Sequence, residues 1–394
     1  MEPTAGLDPT SLIERLNVTA EHELFRASVR SFLQREVVPH HERWEQQGII
    51  DRELFTKAGA AGFLALDAPL EFGGGGSTDF RYNAIITEEA CAAGVMASIN
   101  GIALHNDVCL PYFLDASTKE QRERWLPGLC DGSLVSAVAM TEPSTGSDLA
   151  AITTTAVRDG DTYVINGSKT FITNGQHCDL VIVACKTDPT KRHQGISLIV
   201  VEADRDGFTR GRNLEKIGQH AADTSELFFT DVRVPVDNRL GEEGSGFKHL
   251  MANLPRERLT IAVGAVAQAA AALELGLSYA KNRSAFGQPI GSFQHNRFAM
   301  AEMRTEVDIA WTFVDRLVEL INSGELSAVV AAEAKWWTTE LCKRVVDGCL
   351  QLHGGYGYME EYPIARLYRD VRVMTIYGGT TEIMKEIIGR QIGL

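Results

Sequence analysis

The sequence predicts a multidomain α+β protein, with an N-terminal all-α domain over residues 1–130, a middle β domain over 131–240 and a C-terminal helical-bundle domain over 241–394. Three observations carry this expectation. Apolar residues recur at helical spacing from about residue 20 to 130. Short β-rich runs separated by Asp-Gly and Gly-rich turns fill the next stretch. Long helical patterns then return to the C-terminus. Helical flanks bury their faces against one another, whereas the middle strands need sheet packing of their own, so helical layers beside a β-sandwich or small barrel is the economical arrangement. The 394 residues, 44% hydrophobic and 23% charged, suffice for two or three domains at roughly 150 residues each. With 38 basic and 52 acidic side chains the net charge is −14, which argues against a nucleic-acid partner bound through counterion release.

In the first domain Phe25, Val29, Phe32, Leu33 and Val37 form one stripe, ended or kinked near Pro39. Asp51 is a candidate N-cap for the helix that follows it, and Thr118 with Gln121 has capping-box spacing. Strands are expected at 133–140, 153–165, 179–186, 195–203 and 224–234, and helices at roughly 256–281, 293–322 and 327–352, with a shorter one from Thr381. The seven cysteines have irregular spacing, which indicates free thiols in a reducing compartment rather than disulfides or a metal site; Cys342 and Cys349 read as small core residues. Residues 1–23 lack both an apolar signal core and an Arg-rich, acid-poor pattern. No stretch reaches roughly 18 uninterrupted apolar residues, since the Ala-rich run at 261–273 is short and contains Gln268. A cytoplasmic protein without a transmembrane segment is expected.

Two segments carry signs of chemistry. Ala139 to Asp148 follows an expected strand and is rich in hydroxyls, glycine and backbone donors, which suits a polar cofactor or phosphate; turn formation explains the same composition. Gln351 to Tyr358 interrupts a helical pattern with three glycines in four residues, at about 1 kcal/mol of helix propensity each. Close backbone approach to a ligand or another chain accounts for them, as does an interhelix turn. Gly73 to Gly76 lacks the strand, spacing and helix of a phosphate loop and reads as a flexible turn.

Together these two segments resemble the two signature regions of the acyl-CoA dehydrogenase family, the second continuing through Glu361, Arg366 and Asp370. Further matches are Phe171-Ile172-Thr173-Asn174-Gly175, Asp231-Val232-Arg233-Val234-Pro235 and Arg283-Ser284-Ala285-Phe286-Gly287, so the resemblance covers nearly the whole chain. At Thr145 the family usually has a smaller residue, so the threonine adds bulk beside the cofactor loop.

The resemblance implies a C-terminal four-helix bundle, FAD as cofactor and a homo-oligomer, usually a homotetramer, with FAD between domains and between subunits. It assigns to the flavin of one subunit the loop Val138, Ala139, Met140, Thr141, Glu142, Pro143, Ser144, Thr145, Gly146 and Ser147 and the triplet Phe171, Ile172 and Thr173. The Thr141 and Thr173 hydroxyls would lie near the isoalloxazine edge. Arg283, Gln294, Gln351, Leu352, His353, Gly354 and Gly355 would hold the pyrophosphate and adenosine of the neighbouring subunit's FAD, with Thr380, Thr381 and Glu382 completing the cofactor set. Arg283 also reads as a helix-end charge complementing the dipole.

The reaction so implied removes two hydrogens from the Cα–Cβ bond of an acyl-CoA thioester to give the trans-2-enoyl product, a base taking the α-proton and flavin N5 the β-hydride. Electron-transferring flavoprotein is the implied oxidant, and bacterial fatty-acid β-oxidation the implied setting. An acyl-carrier-protein dehydrogenase, an acyl-CoA oxidase and a catalytically silent flavin-binding assembly subunit are the alternatives.

Many family members carry the base as a glutamate in a C-terminal Tyr-Glu-Gly-Thr motif, where this chain has Tyr377-Gly378-Gly379-Thr380. Gly378 offers no carboxylate, although its N–H remains available to the thioester oxygen. Long-chain and isovaleryl members carry the glutamate on an earlier helix, and Leu254-Pro255-Arg256-Glu257-Arg258-Leu259 resembles the long-chain type. In isolation Glu257 reads as a residue just after a helix-starting proline, complementing the dipole and pairing with Arg256 or Arg258. The vacancy at 378 makes Glu257 the expected base. Ser147, Pro255, Arg256, Arg258, Gly378 and Gly379 are the implied thioester-binding residues, Arg258 helping with the nucleotide unless it is a solvated helix charge.

Overall fold

Thr19 opens helix α1 (Ala20–Phe32) with a capping box shared with His22. The computed structural model describes Ile13 and residues 15–394, so most of the N-terminal segment read above for targeting features lies outside the described residues. The expected stripe is inside: Val29, Phe32, Leu33 and Val37 are buried and Phe25 packs edge-on against Phe63 and Tyr82. Pro39 kinks the helix without ending it. A wide turn of π geometry at Leu33–Val37 leads into α2 (Val38–Gln47), where the proline occupies a first-turn position that needs no N–H donor. The same device recurs downstream: α3 (Glu53–Ala60), α4 (Arg81–Ala92) and α5 (Met96–Leu104) are followed by a wide turn at His105–Cys109 and by α6 (Leu110–Ala116), with Pro111 in its first turn.

Thr118 and Gln121 form the expected capping box of α7 (Lys119–Asp131). Asp51, however, does not cap α3. Its carboxylate is taken by the Arg43 guanidinium, which outweighs burial and holds its pKa down at about 2. The Gly73–Gly76 turn is not flexible either. A Cβ at Gly74 or Gly75 would run into the backbone of Ala68 or Leu66, and the Gly75 and Gly76 N–H groups donate to the Ala65 and Ala68 carbonyls.

The middle of the chain forms β1 (Ser136–Ala139), β2 (Thr155–Asp159), β3 (Thr162–Thr173), β4 (Leu180–Lys186), β5 (Ile196–Glu202), β6 (Phe208–Asn213), β7 (Thr224–Pro235) and β8 (Arg239–Leu240). Their order is β6-β7-β3-β2-β4-β5-β8, with β1 parallel to β4. One core lies between the halves: Tyr163, Ile165, Leu227 and Phe229 meet Val181, Val183, Ile199 and Val201. The opposite faces of β4 and β5, through Leu180, Ile182, Leu198 and Val200, pack on Tyr112, Phe113, Trp125 and Leu126 of α6 and α7. Burial on both faces explains the unbroken apolar runs of β4 and β5. Sequence reading missed β6, whose Phe-Thr-Arg-Gly-Arg-Asn carries one apolar side chain; it joins the sheet as an edge strand beside β7.

Helix α8 (Gly246–Asn282) begins ten residues before the expected start, and Pro255 lies inside it rather than at its head. Phe247, Leu250 and Met251 explain the extension, because they pack on the same core as α6 and α7. A small hairpin of β9 (Ser284–Ala285) and β10 (Gln288–Pro289) leads to α9 (Gln294–Asn322), α10 (Ala328–Leu352), α11 (Pro363–Asp370) and α12 (Thr381–Gln391). Helices α8, α9, α10 and α12 form the C-terminal bundle. An 18-residue window of α8 has mean hydropathy 1.6 and so passes, by length and composition, a test that the 261–273 run alone fails; 72% of it is buried inside the protein. A helix packed by α4, α9 and α10 is apolar nearly all round for that reason. All seven cysteines are buried and unpaired, Cys342 and Cys349 within the bundle core.

Candidate active site

Glu257 of α8 is buried, only 6% exposed. Because the helix starts at Gly246, Glu257 lies beyond its first turns, and dipole complementarity no longer accounts for it. The Tyr112 hydroxyl of α6 donates to Glu257 Oε1 at 3.0 Å. Burial pushes the carboxyl pKa up to about 7, against the opposing pull of the Tyr112 bond and the Arg258 charge. Tyr112 is the functional neighbour that sequence reasoning missed.

Arg258 is not a solvated charge. It is buried, and its Nε reaches the Gly378 carbonyl oxygen at 3.4 Å, which directs it to the Gly378–Gly379 turn rather than to a solvent-facing nucleotide. Arg258 and Gly378 are therefore brought together, with Glu257 next to Arg258 on the same helix. Arg256 is placed elsewhere: it pairs with Asp67 at 2.6 Å, lies 3.8 Å from Asp107 and covers the Phe80 ring. Both glycines of the turn have left-handed backbone, φ 64° at Gly378 and 99° at Gly379, and a Cβ at Gly378 would fall 2.3 Å from Ile261 Cδ1. Beyond the turn the Thr380 hydroxyl caps α12, Thr381 donates to Glu340, and Glu382 is exposed.

The loop after β1 and the end of β3 also meet. The Thr170 N–H donates to the Thr141 carbonyl at 3.0 Å, and Glu142 and Thr145 exchange two backbone bonds that fold the loop over Pro143 and Ser144. Glu142 pairs at 2.9 Å with Lys169, which is fully buried, and accepts from the Thr153 and Thr154 backbones. Burial alone would raise its pKa; the Lys169 charge and these donors hold it at about 2. Glu142 thus secures the loop from within. Thr145 turns its hydroxyl inward to the Ala151 carbonyl at 3.5 Å, so its extra bulk packs inside the loop. Pro143, Ser144, Gly146 and Ser147 are exposed, while Ala139 and Ile172 are core residues and can offer a ligand only backbone. Val138, Met140, Thr141 and Thr173 are half-buried, and Phe171, at φ 60°, projects into solvent.

Arg283 lines a separate cleft of about 430 Å³ with Ile290, Leu352, His353, Gly354 and Gly355. The His353 ring stacks on Tyr279 at 4.2 Å. Here the three glycines divide by role: a Cβ at Gly357 would strike the Leu350 carbonyl, whereas Gly354 and Gly355 face open space. The Arg283 guanidinium lies 5.8 Å from the Tyr356 ring and has no carboxylate partner among the described residues. Gln294 and Gln351 are exposed nearby in sequence. Arg283 directly follows the C-terminus of α8, and Glu257 lies 26 residues before it, about 39 Å along the axis at about 1.5 Å rise per residue.

Models of the acyl-CoA dehydrogenase N-terminal, middle and C-terminal domains match residues 19–133, 137–232 and 244–393. The chain is 45% identical over 376 residues to a mitochondrial long-chain specific acyl-CoA dehydrogenase of Mus musculus, covering 95% of this chain and 87% of that protein. It is 35% identical to the caffeyl-CoA reductase-Etf complex subunit CarC of Acetobacterium woodii, covering 93% and 97%. Among solved structures, an acyl-CoA dehydrogenase from Geobacillus kaustophilus superposes with TM-score 0.94 at 51% identity, covering 97% of this chain and 100% of that one. A Mycobacterium smegmatis glutaryl-CoA dehydrogenase in complex with FADH2 superposes with TM-score 0.88 at 26% identity, covering 95% of each.

Proposed function

Because the chain belongs to the acyl-CoA dehydrogenase family, we propose that this oxidoreductase dehydrogenates an acyl-CoA at Cα–Cβ, with Glu257 as the base that takes the α-proton. One observation carries the reading: a buried carboxyl with a pKa of about 7 stands beside Arg258, which reaches the carbonyl of the glycine occupying the usual base position. A base of that pKa is poised between uptake and release of a proton near neutrality. The same feature argues against a silent assembly subunit.

The residues present fit FAD. The β1 loop and the end of β3 offer exposed hydroxyl and backbone groups, and the second cleft offers an unpaired guanidinium beside two open glycines. FAD supplies the acceptor for the β-hydride. We assign the loop from Val138 to Ser147 and Phe171 to Thr173 to one end of the cofactor and Arg283 with Leu352 to Gly355 to the other. The 39 Å separation along α8 supports the view that these two sets serve different copies of the site, so that a homo-oligomer, with a homotetramer as the family form, completes each one.

Burial keeps water from Glu257, Tyr112 holds its Oε1 in place, and the Gly378 N–H is the proposed donor to the thioester oxygen, where enolate-like charge gathers. The proposed substrate class is a long-chain acyl-CoA, from the Mus musculus relative's name, with fatty-acid β-oxidation as the proposed setting; the proposed oxidant is an electron-transferring flavoprotein, from the Etf complex in the Acetobacterium woodii relative's name. In Glu257→Gln, FAD content and thioester binding should persist while anaerobic flavin reduction slows at least about a hundredfold. Near-wild-type reduction would rule out Glu257 as the base.

A further inference from the structure

Lys335 on α10 has no exposed surface, and its Nζ donates to the Gly379 carbonyl oxygen at 2.7 Å. Among the described residues it forms no ion pair. Its closest charged influences are Arg258, which opposes its protonation, and Glu340 and Glu382, which favour it; burial is the largest influence and brings its pKa down to about 8. A lone ammonium with one neutral acceptor is a costly thing to bury, and an apolar side chain of similar length would fill the same volume without that cost. Core stability therefore does not explain a lysine here.

The carbonyl it grips does. Gly378 and Gly379 are adjacent glycines that both adopt left-handed conformations, so the turn needs anchors outside itself. It has two: Arg258 of α8 reaches the Gly378 oxygen, and Lys335 of α10 holds the Gly379 oxygen by the shorter bond. Thr381 and Glu340 then tie the start of α12 to α10 at 3.0 Å. A planar trans peptide couples the C=O of one residue to the N–H of the next, so the two bonds fix the peptide planes that follow Gly378, while the Tyr377 N–H bonded to the Val373 carbonyl at 3.2 Å holds the chain before it; the peptide carrying the Gly378 N–H is thereby anchored on both sides.

We propose that Lys335 is a positioning residue for dehydrogenation, clamping the Gly378–Gly379 turn so that its backbone N–H meets the thioester oxygen while Glu257 faces the α-carbon. The inference rests on the proposed roles of Glu257 and Gly378. It predicts a defect in rate rather than in binding, because the donor matters most when charge develops on that oxygen.

The test compares Lys335→Met, Lys335→Gln and Glu257→Gln with wild type as FAD-loaded holoenzymes. For each, the thermal midpoint, FAD content, KM and kcat with a saturated straight-chain acyl-CoA, and the anaerobic flavin-reduction rate are measured. Lys335→Met should keep its FAD and a thermal midpoint no lower than wild type. Its KM should stay within about threefold while kcat and reduction fall at least about tenfold, since a misplaced reacting group costs rate first. A Lys335→Met rate within twofold of wild type overturns the proposal. So does a rate loss in both Lys335 variants that follows loss of FAD or of thermal stability, which would mark a structural role. If Glu257→Gln slows and Lys335→Met does not, only the assignment of Lys335 falls. If Glu257→Gln reduces flavin normally, the reading of the base falls and this inference with it.

Discussion

Moving the base from position 257 to position 378 can be worked out from the structure, and the nearest obstacle is one methyl group. Glu257→Gly should lose the roughly 10²–10⁴-fold contribution of a general base. Adding Gly378→Glu alone should return only part of it, because the new Cβ would lie 2.3 Å from Ile261 Cδ1 and that methyl must first swing aside. Ile261→Val deletes that atom, and the next Ile261 atom stands 3.9 Å away, at ordinary contact distance. The deletion costs about 0.5–1.5 kcal/mol of stability. A glutamate at φ 64° adds about 1–2 kcal/mol of backbone strain. Charged wholly against alignment, that strain slows the reaction about 5- to 30-fold. The triple variant Glu257→Gly, Ile261→Val, Gly378→Glu should therefore come within about 30-fold of wild type and clearly exceed the double variant. The assay is anaerobic flavin reduction by a chain-length series of acyl-CoA thioesters, with FAD content and thermal midpoints matched. A triple variant that folds, holds FAD and binds thioester yet reduces no faster than Glu257→Gly would refute the two-position account. Equal rates in the double and triple variants would clear Ile261 of blame.

Two further outcomes follow from the environment of Glu257. Tyr112→Phe removes the 3.0 Å hydrogen bond that favours the carboxylate, so the acid limb of kcat/KM should move above pH 7 by about one unit; an unmoved limb would show that the phenol does not act on the base. The raised pKa also has a stability consequence: a carboxyl whose pKa rises from 4.5 to about 7 on folding favours the folded state fully below about pH 4.5 and loses that contribution as pH climbs through 7, on the order of 3 kcal/mol for a group this buried. Glu257→Gln lacks the titration, so its thermal midpoint relative to wild type should rise between pH 5 and pH 8, and a constant difference would contradict the buried carboxyl.

Much of the fold was legible because its signals are local. The 25 residues of α10 and the 29 of α9 declare themselves through sustained periodicity, and the Thr118 box needs only a partner three residues away. The misses share a different cause. Asp51 has the residue type and place of a cap, but Arg43 outcompetes the helix for its carboxylate. Edge strand β6 owes its existence to β7, and the head of α8 owes its extra turns to the core beneath α6 and α7. Pro255 looks like a helix start because a proline is cheapest there; tertiary packing of Phe247 and Leu250 carries the helix through it.

The site divides along the same line. Resemblance pointed to Glu257, but nothing within several residues of it distinguishes a base from a surface glutamate, because the property that matters is set at a distance. Tyr112 stands 145 residues earlier in the chain, and the Gly378 carbonyl that engages Arg258 comes 120 residues after that arginine. What raises the Glu257 carboxyl is burial where α8 meets α6, an environment it acquires only when the N-terminal helices and the C-terminal bundle pack together. The 257 and 378 positions are linked in the same way. Ile261 sits one helical turn beyond Glu257 and fills the space that a side chain at 378 would take, so a glutamate on α8 and a glycine in the turn are two parts of one packing solution. A chain that kept Ile261 and restored only the carboxylate at 378 would have to turn the Ile261 methyl aside before it could use that residue.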